Sequence, residues 1–240
     1  MSSTLLLVHS PLVGPSSWSD FASLARLAGA DVVVPDLTGV AIARSPRWCY
    51  FVDEACSAVQ HLEGPVTVVG HSGAGVGLPV ISAKLGDRCS SVIFMDAVVP
   101  PTSGAHRTST NLIQLLDQQN VDGVLRRWLE WWPDEVVRGL VPDLEQRSLL
   151  LDDMPRLPRA FYDEEVVMPD QWTSRAIGYL QLSPAYDADR KEAMDCNWPT
   201  ISLNANHLST LTAPDEVLTA LQELVEASRR RNGERRLPAH

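Results

Sequence analysis

The chain alternates short, largely apolar runs with longer stretches in which apolar residues recur at helical spacing. The runs are Leu5 to Val8, Val32 to Val34, Val66 to Val69, Val92 to Met95, Tyr179 to Leu182 and Thr200 to Leu203, most of them rich in β-branched side chains. Short apolar runs of this kind fit strands buried on both faces, as in a parallel sheet covered on each side by helices. Between them, Trp18 to Ala28, Tyr50 to Leu62 and Val76 to Leu85 read as helices, and Pro214 starts a last one over Asp215 to Ala227. The pattern predicts one α/β domain, a predominantly parallel, doubly wound sheet of about six strands.

From residue 101 to 176 the alternation stops. Pro133, Pro142, Pro155, Pro158 and Pro169 punctuate this stretch into short helices. It reads as a helical cap inserted into a core made of residues 1–100 and 177–228, with a flexible polar tail over 229–240. Trp128, Trp131, Trp132, Leu149, Leu150, Phe161 and Trp172 supply more large apolar surface than a thin helical layer can hide. Part of that surface is expected to line a pocket, because ligand sites are mostly apolar and favour such interfaces. Any single tryptophan could equally glue cap to core.

Composition narrows the function. With 240 residues, 45% of them hydrophobic, the chain can bury a full core. A net charge of −10 and a pI near 5.0 argue against a nucleic-acid or anionic-membrane partner. The basic cluster of Arg229, Arg230, Arg231, Arg235 and Arg236 reads as a solvated chain end. Cys49, Cys56, Cys89 and Cys196 form no CxxC pair and no metal-ligand spacing with histidine, so reduced thiols in a cytoplasmic protein are expected, with no metal. Leu5 to Val8 is too short for a signal or membrane segment and has no basic region before it.

The candidate chemistry centres on Gly70-His71-Ser72-Gly73-Ala74-Gly75, directly after the run Pro65 to Val69. A serine displayed on a tight strand-to-helix hinge needs small neighbours, and Gly70 and Gly73 meet that demand. Ala74 stands in the last place of Gly-x-Ser-x-Gly. An ordinary βα turn is the alternative. The nucleotide-binding readings fail, since Gly73 to Leu78 lacks the third glycine of a dinucleotide fingerprint and no Gly-Lys-Ser/Thr follows, so no nucleotide cofactor is implied.

A serine hydroxyl needs a base, and the base needs a group to orient it. His207 follows the last predicted strand and so lies at the same carboxyl edge of the sheet as Ser72. His9 and His71 suit packing or pocket-wall roles, whereas His61, His106 and His240 have no supporting context. Two acids compete: Asp96, ending the strand Val92 to Met95, and Asp187, in Ser183-Pro184-Ala185-Tyr186-Asp187. A carboxylate at the end of an apolar strand is costly unless paired, which favours Asp96. Asp187 could instead cap a helix through Asp189 to Ala193.

Over nearly its full length the chain resembles α/β-hydrolase-fold proteins. The resemblance rests on His9-Ser10-Pro11-Leu12-Val13-Gly14 with Trp18, on Val34-Pro35-Asp36-Leu37, on the serine elbow, on Phe94-Met95-Asp96-Ala97-Val98-Val99-Pro100, and on the late His207. It implies that fold without its two leading antiparallel strands, and a triad of Ser72, His207 and Asp96, with Asp187 as the alternative acid. It also implies an oxyanion hole formed by the Gly73 amide and a second amide at the residue after His-Gly. That residue is Pro11, which has no N–H. A shifted backbone would let Leu12, or else Ser10, donate in its place.

The expected activity is hydrolysis of an ester, thioester or lactone of a medium-sized apolar metabolite, in a pocket lined by His9, Pro11, His71, Trp128, Trp131, Trp132 and Trp172. A non-hydrolytic lyase or cyclase of secondary metabolism on the same fold, motivated by Pro11, and a non-catalytic binding protein are the alternatives. The sequence carries no signal for oligomeric state.

Overall fold

A computed structural model describes residues 3–236 of the chain. Strand β1 (Thr4–Val8) leads through a 3₁₀ turn, Pro15–Trp18, into helix α1 (Ser19–Leu27). Then come β2 (Val32–Val33), α2 (Arg47–Ser57), β3 (Val66–Ser72), α3 (Leu78–Leu85) and β4 (Cys89–Ala97). An insertion after β4 carries β5 (Ala105–His106), α4 (Thr110–Gln119), β6 (Asn120–Val121), β7 (Val124–Leu125), α5 (Asp134–Leu140), α6 (Leu144–Asp153) and β8 (Val166–Val167). The core resumes with β9 (Ile177–Gln181), α7 (Asp187–Asp195), β10 (Thr200–Ser202), α8 (Ser209–Thr212) and α9 (Pro214–Arg236).

Six of the described strands form one sheet in the order β10-β9-β4-β3-β1-β2, and every pairing in it is parallel. The chain runs outward from β1 to β2, then returns to the other side of β1 as β3, so the winding reverses between β1 and β3. In open α/β sheets the crevice beyond the strand carboxyl ends at such a reversal is where ligands bind. The loop after β1 and the end of β3 meet there.

Side chains alternate between two apolar layers. Leu6, Val8, Val68 and Phe94 pack with α2 and α3, whereas Leu7, Val69, Ile93 and Met95 pack with α1 and α9. Burial on both faces explains why these strands are apolar at successive positions. A third cluster joins Val13 of the loop after β1, Leu129, Val141, Leu150 and Met154 of the insertion, and Leu208 beside His207. It fastens the insertion to both loops at the carboxyl edge.

Three features depart from the expectations. The insertion is not only helical, for β5 pairs with β8 and β6 with β7 in antiparallel ribbons. The second ribbon turns through Asp122-Gly123, with φ of 52° and 86°, the Asp-Gly pair that a two-residue hairpin favours. Helix α2 starts at Arg47, earlier than Tyr50, because Glu164 of the insertion accepts from the Arg47 and Trp48 amides at 2.7 and 3.3 Å. A carboxylate brought from far along the chain thus satisfies donors that the local sequence leaves open.

The third departure is at the C-terminus, where α9 continues to Arg236, so residues 229–236 are helical and do not form a frayed tail. Arg229 Nη2 donates to Ser3 Oγ at 2.7 Å, Thr67 Oγ1 at 3.0 Å and Ser90 Oγ at 3.1 Å, tying the helix to the amino ends of the strands. The rest of the expected tail, with His240, lies outside the described residues. No described helix is long and apolar enough to cross a membrane.

Candidate active site

Ser72 ends β3 with φ 59° and ψ −127°, a conformation that costs a non-glycine residue energy and needs support from its surroundings. That support is a close approach of the turn to β4. The Val98 amide donates to the Ser72 carbonyl at 3.1 Å, and a Cβ on Gly75 would collide with the Val98 carbonyl oxygen. Gly70 is crowded instead by the side chain of Leu78. Ala74 is fully buried, so the break in Gly-x-Ser-x-Gly fits without exposing the turn.

Asp96, at the end of β4, is fully buried with φ 43°. Its carboxylate accepts from the Leu182 amide at 2.9 Å, the Ser183 amide at 3.0 Å, the Ser183 hydroxyl at 2.6 Å and His207 Nδ1 at 2.7 Å. Burial pushes this carboxyl up, but the His207 hydrogen bond and charge and the Ser183 donors outweigh it and hold the group below the ordinary carboxylate range. The segment after β9, home of the other candidate acid, therefore serves to hold Asp96 ionised. Asp187 itself is exposed in the first turn of α7, where its Oδ1 accepts from Gln181 Nε2 at 2.6 Å; the residue at the helix cap is Tyr186.

The His207 ring lies between three aromatic rings: Tyr186, stacked at 5.2 Å and 12°, His71 at 4.3 Å, and Trp128 edge-on at 5.8 Å. His71 is buried and donates from Nε2 to the His207 carbonyl at 2.9 Å. Burial, followed by the charge of His207, lowers the His71 pKa to about 3, so it stays neutral. Fixing a backbone carbonyl in this way is a positioning task.

The loop after β1 lies against Gly73, the residue that follows Ser72. A Cβ on Gly73 would stand 3.2 Å from Ser10 Oγ and 3.4 Å from Pro11 Cδ. The Leu12 amide, expected to turn toward the oxyanion position, is instead aimed at Ser10 Oγ over 3.4 Å. His9 is fully buried and is not a pocket wall. Its Nδ1–H donates to the Ser10 carbonyl at 2.9 Å and its Nε2 accepts from the Leu37 amide at 3.0 Å, an arrangement only the neutral ring can make. Burial accordingly lowers its pKa to about 4.

Ser72 opens onto a cavity of about 570 Å³ between the sheet edge and the insertion. Pro11, Trp128, Trp131 and Trp132 line it, together with Trp48 and Phe161. His71 reaches only a small crevice beside it. Trp172 does not reach it: the side chain is 3% exposed, packs on Phe94 and Trp198, and donates from Nε1 to the Pro101 carbonyl at 3.3 Å. Its neighbours come from the sheet and from Trp198, contacts that helical spacing within the insertion does not reveal.

Sequence reasoning passed over Tyr186. Its hydroxyl stands 3.0 Å from Ser72 Oγ, and burial raises its pKa above the ordinary tyrosine value. The available signal was its place, a few residues beyond the end of a sheet strand on the edge that carries Ser72. Asp189, one turn further on, also lines the cavity, accepts from the Val99 amide at 2.7 Å, and has its pKa raised by burial. Among the described residues no group of three or more His, Cys, Asp or Glu side chains is placed to hold a metal ion.

An aspartate that fixes one nitrogen of an imidazole leaves the other free to take a proton from a nearby hydroxyl, and here such a hydroxyl faces an aromatic cavity. The chain is 23% identical over 199 residues to the (E)-2-((N-methylformamido)methylene)succinate hydrolase of Acinetobacter baylyi, a match covering 78% of this chain and 76% of that protein. Its fold is similar to that of a methylesterase from Arabidopsis, with a TM-score of 0.68 and 21% identity over 93% of this chain and 99% of the other. It is also similar to that of tomato methylketone synthase I complexed with 2-tridecanone, with a TM-score of 0.72 and 16% identity over 94% and 98%. Residues 5–220 match the alpha/beta hydrolase family, and the chain belongs to that family.

Proposed function

We propose that the protein is a serine hydrolase acting on an ester, thioester or lactone of a medium-sized, largely apolar metabolite. The observation that carries this reading is the 2.7 Å contact between His207 Nδ1 and the buried Asp96 carboxylate, beside a serine held on a strained turn. Asp96 keeps the His207 proton on Nδ1, so Nε2 is the basic nitrogen that takes the Ser72 proton as Oγ attacks the substrate carbonyl carbon. The imidazolium formed is stabilised by the carboxylate and then protonates the leaving group. Water repeats the sequence to release the acid. The Gly73 amide donates to the oxyanion, and the aromatic cavity holds the apolar body of the substrate.

The test is a fluorophosphonate probe together with a panel of aryl and alkyl esters and thioesters. Labelling confined to Ser72, absent in Ser72→Ala, and hydrolysis of bulky apolar esters are expected. An unlabelled Ser72 with no hydrolysis across the panel overturns the reading.

A second reading, a lyase or cyclase in which Ser72 and His207 move protons without an acyl-enzyme, is favoured by Pro11 and by the resting hydrogen bond of Ser72 to Tyr186. Products whose masses sum to that of the substrate, with no oxygen taken up from labelled water, would select it.

A further inference from the structure

Pro11 cannot donate, and the Leu12 amide beside it is spent on the Ser10 hydroxyl oxygen, 3.4 Å away. Ser10 is buried, lines the cavity beside Ser72 and Gly73, and holds its Oγ 3.2 Å from where a Cβ on Gly73 would sit. Its backbone is pinned, because His9 Nδ1–H and the Val13 amide both donate to its carbonyl, at 2.9 and 3.1 Å. Among the described residues the Ser10 hydroxyl proton has no acceptor. A hydroxyl oxygen that accepts a hydrogen bond becomes a better donor, so the Leu12 amide sharpens that proton for whatever faces it.

We propose that the Ser10 hydroxyl is the second oxyanion donor, taking the place of the amide missing at Pro11, with Leu12 acting through it. The proposal rests on the acyl-transfer reading of Ser72. As Ser72 Oγ bonds to the carbonyl carbon and His207 takes its proton, the carbonyl π pair moves onto oxygen. That oxyanion accepts from the Ser10 hydroxyl and the Gly73 amide. When the carbonyl re-forms, the bond to the leaving group breaks, and the departing oxygen or sulfur takes the proton from His207. No proton leaves Ser10 at any stage, since it only donates a hydrogen bond.

The experiment compares Ser10→Ala, Ser10→Thr and Ser10→Cys on an activated aryl ester, with Ser72→Ala as reference. Ser10→Ala is expected to lower kcat about 10²- to 10³-fold while KM and the midpoint of the pH profile stay in place; Ser10→Thr, which keeps a hydroxyl, stays within about tenfold. Affinity for an aryl trifluoromethyl ketone, which forms a tetrahedral adduct on Ser72, should fall by the same factor as kcat, a loss that a merely structural role would not match to the rate. Should Ser10→Ala fail to fold, Ser10→Cys keeps the volume and replaces the hydroxyl with a weak donor, and the same fall is expected of it. Near-full kcat in Ser10→Ala or Ser10→Cys, or a loss confined to KM, alongside an inactive Ser72→Ala, overturns the proposal. Turnover surviving in Ser72→Ala overturns the acyl-transfer reading itself, and the proposal with it.

Discussion

The Tyr186 hydroxyl lies 3.0 Å from Ser72 Oγ while its ring stacks on His207 at 5.2 Å, so one side chain touches both members of the proposed proton relay. Among the described residues the side-chain hydrogen bond of Ser72 goes to Tyr186 and not to His207. With Ser72 as the donor in that contact, it must leave Tyr186 before it can give its proton to His207. Tyr186→Phe keeps the stack and removes the hydrogen bond, worth about 1 kcal/mol for a neutral pair. Fluorophosphonate labelling of Ser72 is expected to quicken about fivefold in Tyr186→Phe and to slow in Tyr186→Ala, where His207 loses its support. Slower labelling in Tyr186→Phe would mean that the hydroxyl assists the reaction.

Asp96→Asn replaces an acceptor of four hydrogen bonds with an amide that cannot serve all four donors. Ester hydrolysis should fall by about 10⁴-fold, because the tautomer of His207 is no longer fixed and its cation no longer balanced. Asp187→Asn should leave kcat within about twofold, since among the described residues its carboxylate hydrogen-bonds Gln181 alone. Comparable losses in both variants would contradict the assignment of the acid.

Stability should depend on pH through His9 and His71, whose rings burial holds neutral with pKa values near 4 and 3. In the unfolded chain both titrate near 6.5, so below that pH the unfolded state binds more protons than the native state. The associated stability is fully present above pH about 6.5 and is lost as pH falls, at up to about 2.7 kcal/mol per unit for two protons, until the native rings protonate near pH 4 to 3. The lowered carboxyl of Asp96 acts in the same direction at still lower pH. Urea denaturation from pH 8 to pH 4.5 measures this, and a flat profile over that window would refute it.

Two tryptophans of the insertion should separate by phenotype. Trp172→Ala empties a site that is 3% exposed and should cost about 3–5 kcal/mol of stability. Trp132, 36% exposed on the cavity wall, should on replacement by alanine raise KM for a bulky ester with a stability change within about 1 kcal/mol. Thermal unfolding and steady-state kinetics on the pair decide the matter, and a reversed pattern would remove Trp132 from the binding surface.

The strands were legible because burial on both faces leaves a local signature, and Val66 to Val69 followed by Gly70 carries it without reference to any other part of the chain. The serine turn was legible for a similar reason: its strain demands small residues at fixed offsets, although the crowding falls on Gly70 and Gly75 more than on Gly73. Arg229 shows the limit of such reading. In composition it belongs to a charged tail, yet three hydroxyls at the strand ends, all of them far back in the chain, make it part of the core edge. Glu164, which starts α2 from more than a hundred residues away, is invisible to any local rule.

Periodicity and turn chemistry act over a few residues, so they were enough to specify a parallel, doubly wound sheet, the hinge at Ser72 and the carboxyl edge on which His207 falls, whereas the strand order came from the packing. The choice between Asp96 and Asp187 beside His207, the burial of His9 and Trp172, the aim of the Leu12 amide and the contact of Tyr186 with Ser72 were decided by the tertiary structure. Each turns on which groups from distant segments meet across a few ångströms, and hydrogen-bond satisfaction and burial are settled only when the whole chain has packed.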